Sequence, residues 1–463
     1  MTALPAITLA LVLPMMAPVE EPAATRLPQP DFSREIAAHR SYAIPAAEIV
    51  GFDLLLNAFD RAYFGCCDFN VTTASIRRNL RSSWVEDRDP FLVNQFGHPY
   101  QGSMYHGFAR ASGLGFWEGM GYTFLGSAFW EIAGETTPPS RNDQITTGIG
   151  GSFLGEALFR MANLVLERDP TPSLWREVMV AVISPPVGFN RLAFGDRFDR
   201  PFPGRDPLFF TRLQLGFSGT AQSSAGVSTT DLKRSEGLAD FYLEYGLPGK
   251  RSYEYTRPFD YFAFQMTAST ANGFENVLTR GLLKGRAYEW GDDYRGVIGL
   301  YGHYDYIAPQ TFRVSSTAVT LGTTADYRPR EGLAFQGTLS VGAGYTAAGT
   351  VSGTANGDFN YGVSPVALAA LRVVYRDQVA LDLAGREYYV SRLGAAARGG
   401  RENIVRVDAT LTWRFHKRHG ISVKYLGNRR DAYYPEGDFT QRRQTIGLFY
   451  TYLGHDRFGV YDW

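Results

Sequence analysis

One stretch of the chain, residues 89–160, holds four acid–base side chains with the types and spacing for catalysis: His98, Glu131, Glu135 and Asp143. Glu131 and Glu135 are four residues apart, so a helix would place both carboxylates on one face. A carboxyl group that is desolvated beside a second acid has a raised pKa, which suits general acid–base chemistry. In this interpretation Glu131 or Glu135 is the general base and His98 relays a proton.

The same stretch holds four candidate binding residues: Arg110, Asn142, Glu156 and Arg160. Arg110 or Arg160 would hold an anionic group, while Glu156 and Arg160 are spaced to pair along one helix. The alternative is that these residues and the acids form a satisfied polar network that only fixes how the helices pack. The residue types alone leave both interpretations open.

A metal site is a third interpretation of this stretch. His98 with Glu131, Glu135 and Asp143 would supply nitrogen and oxygen ligands of the kind that transition metals accept. No His-x-x-x-His pair or comparable ligand spacing supports such a site. We therefore predict neither a metal nor another cofactor.

Five motifs occur here in a fixed order: Asn-Gln-Phe-x-His-Pro from Asn94, Ala-Arg-x-x-Gly from Ala109, Trp-Glu-x-x-Gly-Glu from Trp130, Pro-Ser-x-Asn-Asp from Pro139 and Gly-Gly-x-x-x-Gly-Glu from Gly150. Together they resemble an uncharacterised bacterial domain-of-unknown-function family found N-terminal to outer-membrane β-barrels. The resemblance implies a barrel further along the chain and carries no established activity. A fainter resemblance extends to the VanZ-like family of small membrane proteins.

The elements that must position these residues have a helical period. Apolar residues recurring every three to four positions predict helices at Ala46–Phe64, Leu92–Ser112, Leu114–Ala133, Ser140–Glu167 and Leu174–Ile183. Ser140 followed by Asp143 is typical of a capped helix start. Glycines at positions 115, 119, 148, 151 and 155 would let helix backbones approach closely.

From about residue 208 the period of the sequence becomes two. Val405, Val407 and Leu411, for example, alternate with polar or charged neighbours. Segments of roughly 10–14 residues are longer than ordinary strands, and an apolar side opposite a charged side is typical of a membrane β-barrel. We predict about twelve antiparallel strands, near residues 208–219, 236–247, 257–269, 275–289, 294–307, 311–327, 332–346, 361–376, 379–391, 402–416, 420–428 and 440–453.

The connections between these strands alternate in length. Long links such as 220–235 and 347–360 follow odd-numbered strands, while most links after even-numbered strands are short. Outer-membrane barrels have long external loops and short periplasmic turns. Strand parity then directs twelve charged or polar residues into the lumen, where opposite charges would pair: Arg212, Asp240, Glu244, Arg286, His303, Asp305, Arg372, Asp382, Arg386, Arg406, Asp408 and Arg414.

Composition and the chain ends agree with export to the outer membrane. The chain has 46 basic and 46 acidic residues, and this zero net charge implies no nucleic-acid partner. An apolar run at residues 3–18 is typical of a secretory signal. The terminal aromatic Trp463 is the signal expected by the barrel-insertion machinery, which we predict as a partner together with outer-membrane lipids.

The predicted architecture is mainly β with an α-helical N-terminal domain. We divide the chain into a signal peptide at 1–24, a linker at 25–45, a helical domain at 46–190 and an antiparallel transmembrane β-barrel at 208–463. The helical domain is expected at the periplasmic mouth or inside the barrel as a plug. The favoured function is binding or transport of a lipid or small polar solute, and the alternatives are an envelope lipid- or glycan-modifying enzyme and a structural module. The sequence leaves open whether the protein is an enzyme, and it does not indicate the oligomeric state.

Overall fold

The architecture is described from a computed structural model of the chain. It describes residues 40–65, 67–87, 89–167, 173–195, 207–224, 235–350, 359–391, 400–435, 437–455 and 458. The predicted signal peptide, most of the linker and the terminal Trp463 lie outside these residues.

The helical part begins at Ala43, three residues before the predicted domain boundary, and its last helix ends at Phe194. Its α-helices are α1 (Ala43–Phe64), α2 (Thr73–Asn79), α3 (His98–Ala111), α4 (Phe116–Ala133), α5 (Arg141–Ile145), α6 (Gly151–Leu166), α7 (Leu174–Ile183) and α8 (Pro185–Phe194). As predicted, Ser140 caps a helix start, because its hydroxyl accepts a hydrogen bond from the amide of Asp143.

Two π-helical turns divide helices that were predicted as continuous. Val93–Gly97 precedes α3, and Thr146–Gly150 separates α5 from α6. A π-helical turn adds a residue to the helix and rotates everything that follows, and such turns are frequent at functional sites. Both turns lie within or beside the five motifs described above. They therefore influence which side chains of these motifs face one another.

The second part is a closed barrel of twelve antiparallel strands, which confirms the predicted fold class. The strands are β1 (Phe209–Ser224), β2 (Ser235–Tyr245), β3 (Phe262–Ser269), β4 (Asn276–Trp290), β5 (Tyr294–Ile307), β6 (Phe312–Arg330), β7 (Leu333–Thr350), β8 (Phe359–Tyr375), β9 (Val379–Val390), β10 (Arg401–His416), β11 (His419–Tyr434) and β12 (Gly437–Leu453). Strand β3 begins at Phe262 and not near residue 257, because the preceding segment turns at Phe259, which has a φ of 64°.

Charged side chains cross the barrel lumen and link strands that are not neighbours. Arg212 of β1 pairs with Asp382 of β9 at 2.7 Å, and Lys424 of β11 approaches Asp240 of β2 at 3.4 Å. A cavity of about 110 Å³ remains among these residues. The predicted pairing of inward charges is therefore present.

Arg286 is the exception to the predicted lumen-facing set. The pairing of β4 with β5 shifts between Leu282 and Lys284, and after this bulge Arg286 lies opposite Ile298. Both side chains are exposed on the outer surface of the wall. A bulge adds one residue to a strand and so moves all later side chains to the other face.

The helical domain packs against the outer surface of the barrel wall. The ring of Phe153 in α6 fits over Gly302 of β5, where a Cβ would lie only 2.5 Å from the ring. The Tyr304 hydroxyl, which points outward from the same strand, donates to the Gln95 carbonyl at 2.6 Å. The shared core is mostly aromatic and includes Phe91, Phe116, Phe153, Phe259, Phe262, Phe264, Tyr304 and Tyr306.

This docking runs from one rim of the barrel to the other. Arg160 near the end of α6 donates to the Pro258 carbonyl in the link between β2 and β3, on the rim with the short turns. Asn142 reaches Tyr361, near the start of β8 on the rim with the long loops. The described helices thus lie beside the cylinder, whereas the sequence analysis expected them at its mouth or inside it.

Two of the helices, α1 and α4, bury polar side chains and expose large apolar ones. In α1 the carboxylates of Asp53 and Asp60 are buried, while the opposite side of the helix exposes Val50, Leu54, Leu55, Phe59 and Tyr63. In α4 the buried side carries Thr123, Ser127 and Glu131, and the exposed side carries Trp117, Leu125 and Phe129. Soluble proteins usually show the opposite arrangement.

Among the described residues, no helix combines the length and the hydropathy of a membrane span.

Candidate functional site

Three of the four predicted catalytic residues meet in the interior of the helical domain. His98 is the first residue of α3, Glu131 lies in the last turn of α4, and Asp143 lies in α5. Their ligand-type atoms all lie within 4.8 Å of one another, and His98 Nε2 is 3.9 Å from Asp143 Oδ2. All three side chains are buried, so three separate helices bring an imidazole and two carboxyl groups together away from solvent. We refer to these three residues as the His98 cluster.

Glu135 lies beyond the end of the helix that carries Glu131, whereas their spacing predicted a single helix for both. Helix α4 ends at Ala133, and Gly134 turns the chain before Glu135. The Glu135 carboxylate instead accepts hydrogen bonds from Trp130 Nε1 at 2.7 Å and from the Thr137 hydroxyl at 3.0 Å. These partners lie at the helix end, and Glu135 is not one of the three residues of the His98 cluster, although its charge acts on both His98 and Glu131.

Local hydrogen bonds orient the two carboxyl groups of the cluster. Glu131 Oε2 accepts from the Ser140 amide at 2.7 Å, and the Asp143 amide donates to the Ser140 hydroxyl at 3.2 Å. Asn142 donates to Asp143 Oδ1 at 3.2 Å, so Oδ2 is the oxygen directed toward His98. The Pro-Ser-x-Asn-Asp motif therefore shapes the cluster through its backbone as well as its side chains.

The electrostatics of the cluster follow from burial without a compensating cation. Burial raises the pKa of Glu131 to about 9, with the charge of Glu135 as the next cause. Burial and then the charge of Asp87 raise the pKa of Asp143 well above its usual range, and burial lowers the pKa of His98. Within the described chain, neither Glu131 nor Asp143 forms an ion pair with an arginine or a lysine. Each group is therefore driven toward its neutral form.

Tyr361 of the barrel wall lies in the surroundings of the cluster. The hydroxyl of Tyr361 accepts hydrogen bonds from Asn142 at 3.0 Å and from Gln95 at 3.1 Å. Asn142 also donates to Asp87 Oδ1 at 2.6 Å. Neither Asp87 nor Tyr361 was predicted, because Asp87 precedes the motifs and Tyr361 looks like any other outward aromatic of a strand.

The predicted residues Arg110, Glu156 and Arg160 form a separate network about Glu156. Glu156 Oε2 lies 2.7 Å from Arg110 Nε and 3.1 Å from His106 Nε2, and Oε1 lies 2.9 Å from Arg160 Nε. Arg160 also pairs with Asp260 next to the barrel at 3.1 Å. The predicted pairing of Glu156 with Arg160 is thus present. With its charges paired, this network fits the bracing role better than an anion site.

Residues 83–186 match the family model described as a domain of unknown function (DUF3943). The matched segment contains the His98 cluster and the Glu156 network, and it is followed by the twelve-stranded barrel. This arrangement agrees with the resemblance to a domain family found ahead of barrels. The resemblance to the VanZ-like family stays a prediction.

No protein with a curated description matches the chain. Among solved structures, the chain is similar to the NanC porin at 9% identity, covering 51% of this chain and 98% of that one with a TM-score of 0.26. It is also similar to the outer membrane channel DcaP of Acinetobacter baumannii, at 9% identity over 54% of this chain and 99% of that one with a TM-score of 0.25. The KdgM porin has 6% identity over 53% and 98%, with a TM-score of 0.23. At these scores the similarity does not bear on function.

Proposed function

We propose that this is an outer-membrane protein whose barrel is a closed anchor and whose helical domain is an enzyme acting on a membrane lipid at the His98 cluster. The single observation that carries the proposal is the position of the helices. They lie on the outer surface of the barrel wall, which in a membrane barrel faces lipid. A centre placed there meets its substrate from within the bilayer.

The surface of the wall supports the membrane location. Away from the helices, the outward side chains of β1, β11 and β12 are apolar and exposed, as in Leu215, Val423 and Leu448. The exposed sides of α1 and α4 are apolar as well. Exposed apolar side chains in this number mark contact with lipid, since soluble monomers rarely expose large apolar surfaces.

The lumen argues against an open transport path. In addition to the ion pairs described above, the Tyr388 hydroxyl of β9 donates to Asp305 of β5 at 2.6 Å. Arg372 of β8 approaches Glu244 of β2 at 3.8 Å, across the full width of the barrel. A solute would have to displace these paired charges, which is costly in a confined space. Transport of a small polar solute is therefore the weaker interpretation.

Site-directed spin labelling tests whether the helical domain faces lipid. In a protein with Cys66 and Cys67 replaced by serine, a label at Leu54 of α1 is expected to be accessible to oxygen and shielded from a water-soluble nickel chelate. A label at Leu448 of β12 is the lipid-facing control. A label at Asp292, in the exposed turn after β4, is the aqueous control. If the Leu54 label behaves like the Asp292 label, the helices lie in water and the proposal is wrong.

The lipid profile of cells tests the enzymatic role. His98→Ala and Glu131→Gln are expected to insert into the outer membrane and resist proteases like the wild type, yet to shift the outer-membrane lipid profile to that of a strain lacking the protein. His416→Ala, which changes an exposed histidine in the β10–β11 turn, serves as the matched control and should leave the profile unchanged.

Two outcomes would contradict this role. A wild-type lipid profile in the fully inserted His98→Ala and Glu131→Gln proteins would leave the cluster without a catalytic part. Loss of insertion or protease resistance in both variants would favour the structural module, in which the cluster only holds the helices together.

A further inference from the structure

We propose that the His98 cluster binds one divalent transition-metal ion, held by His98 Nε2, Glu131 and Asp143. This goes against the sequence-based expectation, which found no ligand spacing for a metal. The proposal builds on the proposed function because it concerns the same cluster. Metal binding is measured without any substrate, however, so either proposal can fail while the other stands.

The distances among His98, Glu131 and Asp143 are close to those between the ligands of one metal ion. Zinc binds histidine nitrogen and carboxylate oxygen at about 2.0–2.2 Å, so two ligands of one ion lie at most roughly 4 Å apart. The 3.9 Å between His98 Nε2 and Asp143 Oδ2 falls inside that limit. The ligand-type atoms of the three residues lie within 4.8 Å of one another, so only a small contraction of these distances would bring all three atoms within reach of one ion.

The charge of the cluster matches a dication. When both carboxyl groups are ionised and the imidazole is neutral, the three side chains carry a charge of −2, and burying such charges without a partner is costly. The Glu156 network shows the contrasting case, where two arginines balance one buried acid. Among the residues that the structure describes, no arginine or lysine forms an ion pair with the carboxylates of the His98 cluster. A metal ion would supply the missing positive charge.

Two buried oxygen atoms beside the cluster point to the same conclusion. Ser127 precedes Glu131 by four residues on α4 and so shares its side of that helix. Asn94 donates to Asp87 Oδ1, which also accepts from Asn142 next to Asp143. Among the described residues, Asn94 Oδ1 and Ser127 Oγ have no hydrogen-bond partner, although both residues are at most 2% exposed. Buried polar atoms are rarely left unpaired, and a metal-bound water would pair with such oxygens.

The residues around the cluster form hydrogen bonds with its members, as the neighbours of metal ligands usually do. The side chain of His98 has Gln101 as a hydrogen-bonding partner, and Gln101 in turn donates to the Tyr105 hydroxyl at 2.5 Å. Glu131 and Asp143 are each held by Ser140, as described above. Such hydrogen bonds fix the orientation of ligands in metalloproteins. Three protein ligands also leave a coordination position for water or substrate, as in catalytic zinc sites.

Metal titration of the purified full-length protein tests the proposal. After treatment with a chelator, the protein in detergent is expected to bind one equivalent of Zn²⁺. Co²⁺ used in its place should give the visible absorption of a cobalt site with nitrogen and oxygen ligands. His98→Ala and Glu131→Gln should weaken binding by more than about 100-fold, since even loss of an outer hydrogen bond costs about 10- to 100-fold. His416→Ala is the matched control and should bind like the wild type.

Protease resistance distinguishes loss of metal binding from loss of folding, because it reports whether each variant retains its packed helices. A third variant, Asp143→Asn, keeps the size of the side chain and its contacts with Ser140. The proposal is overturned if the chelator-treated wild type binds no stoichiometric Zn²⁺ or Co²⁺. It is equally overturned if protease-resistant His98→Ala, Glu131→Gln and Asp143→Asn proteins bind both ions as tightly as the wild type.

Discussion

Gly102→Ala is expected to destabilise the helical domain by at least about 3 kcal/mol, the upper end for ordinary overpacking. A Cβ at Gly102 in α3 would overlap the backbone carbonyl of Thr147, and a Cβ at Gly151 would lie 2.6 Å from the Cα of Gly102. The two backbones touch here, so no side-chain rotation can relieve the added methyl group. Chemical unfolding in detergent micelles, followed by helical circular dichroism, measures the loss.

The matched control is Gly121→Ala on the exposed side of α4. A Cβ at Gly121 meets nothing within 4 Å, and alanine is favoured over glycine in a helix by about 1 kcal/mol. This variant should therefore be as stable as the wild type or slightly more stable. Equal stability of the Gly102 and Gly121 variants would show that the close approach of α3 and α6 does not exist.

Glu156→Gln is expected to cost about 3–5 kcal/mol, the usual range when one partner of a buried ion pair is removed. Glutamine keeps the volume but leaves the guanidinium groups of Arg110 and Arg160 buried without their shared acid. Burial alone would raise the pKa of Glu156, but the charge of Arg110, the hydrogen bond from His106 and the charge of Arg160 outweigh it and hold this pKa well below its usual range. Thermal unfolding monitored by protease resistance gives the shift.

An exposed ion pair provides the control for Glu156. Arg251 and Asp292 are 2.6 Å apart, with side-chain exposures of 58% and 90%. Exposed pairs contribute at most about 1 kcal/mol, so Asp292→Asn should leave stability nearly unchanged. If Glu156→Gln behaved in the same way, the network about Glu156 would not be buried as described.

The barrel was predictable because its strands obey a simple rule. A period of two with one charged side fixes which residues face the lumen, and the lengths of the links fix which rim carries the long loops. The rule failed at Arg286, where a bulge of one residue inverts the parity. Bulges leave no reliable mark in a single sequence, so the misassignment could not be seen beforehand.

The position of the helices was not predictable from the same pattern. Tyr304 and Phe264 point outward like the lipid-facing residues of other strands, and nothing in the alternation tells whether a helix or a lipid covers them. The helix α1 was predicted from its apolar period, but its buried side carries Asp53 and Asp60 beside Ile49, while Leu54 is exposed. The usual assumption that apolar faces point inward gives the wrong side here.

The His98 cluster could be predicted only in part from the sequence. The motifs drew attention to His98, Glu131 and Asp143, but residues on three different helices have no characteristic spacing. Two π-helical turns and the end of α4 before Glu135 determine which acids converge. These depend on how the helices pack, which a search for ligand spacing does not include.

The helices pack against a barrel wall whose strands come later in the chain, and this order affects how the protein is assembled. The helical segment precedes the strands in the chain, yet the aromatic surface that receives it is assembled from β2 to β8. The early part of the polypeptide therefore lacks its tertiary partner until the later strands have formed the wall. Maturation would then end with the lateral docking of the helices.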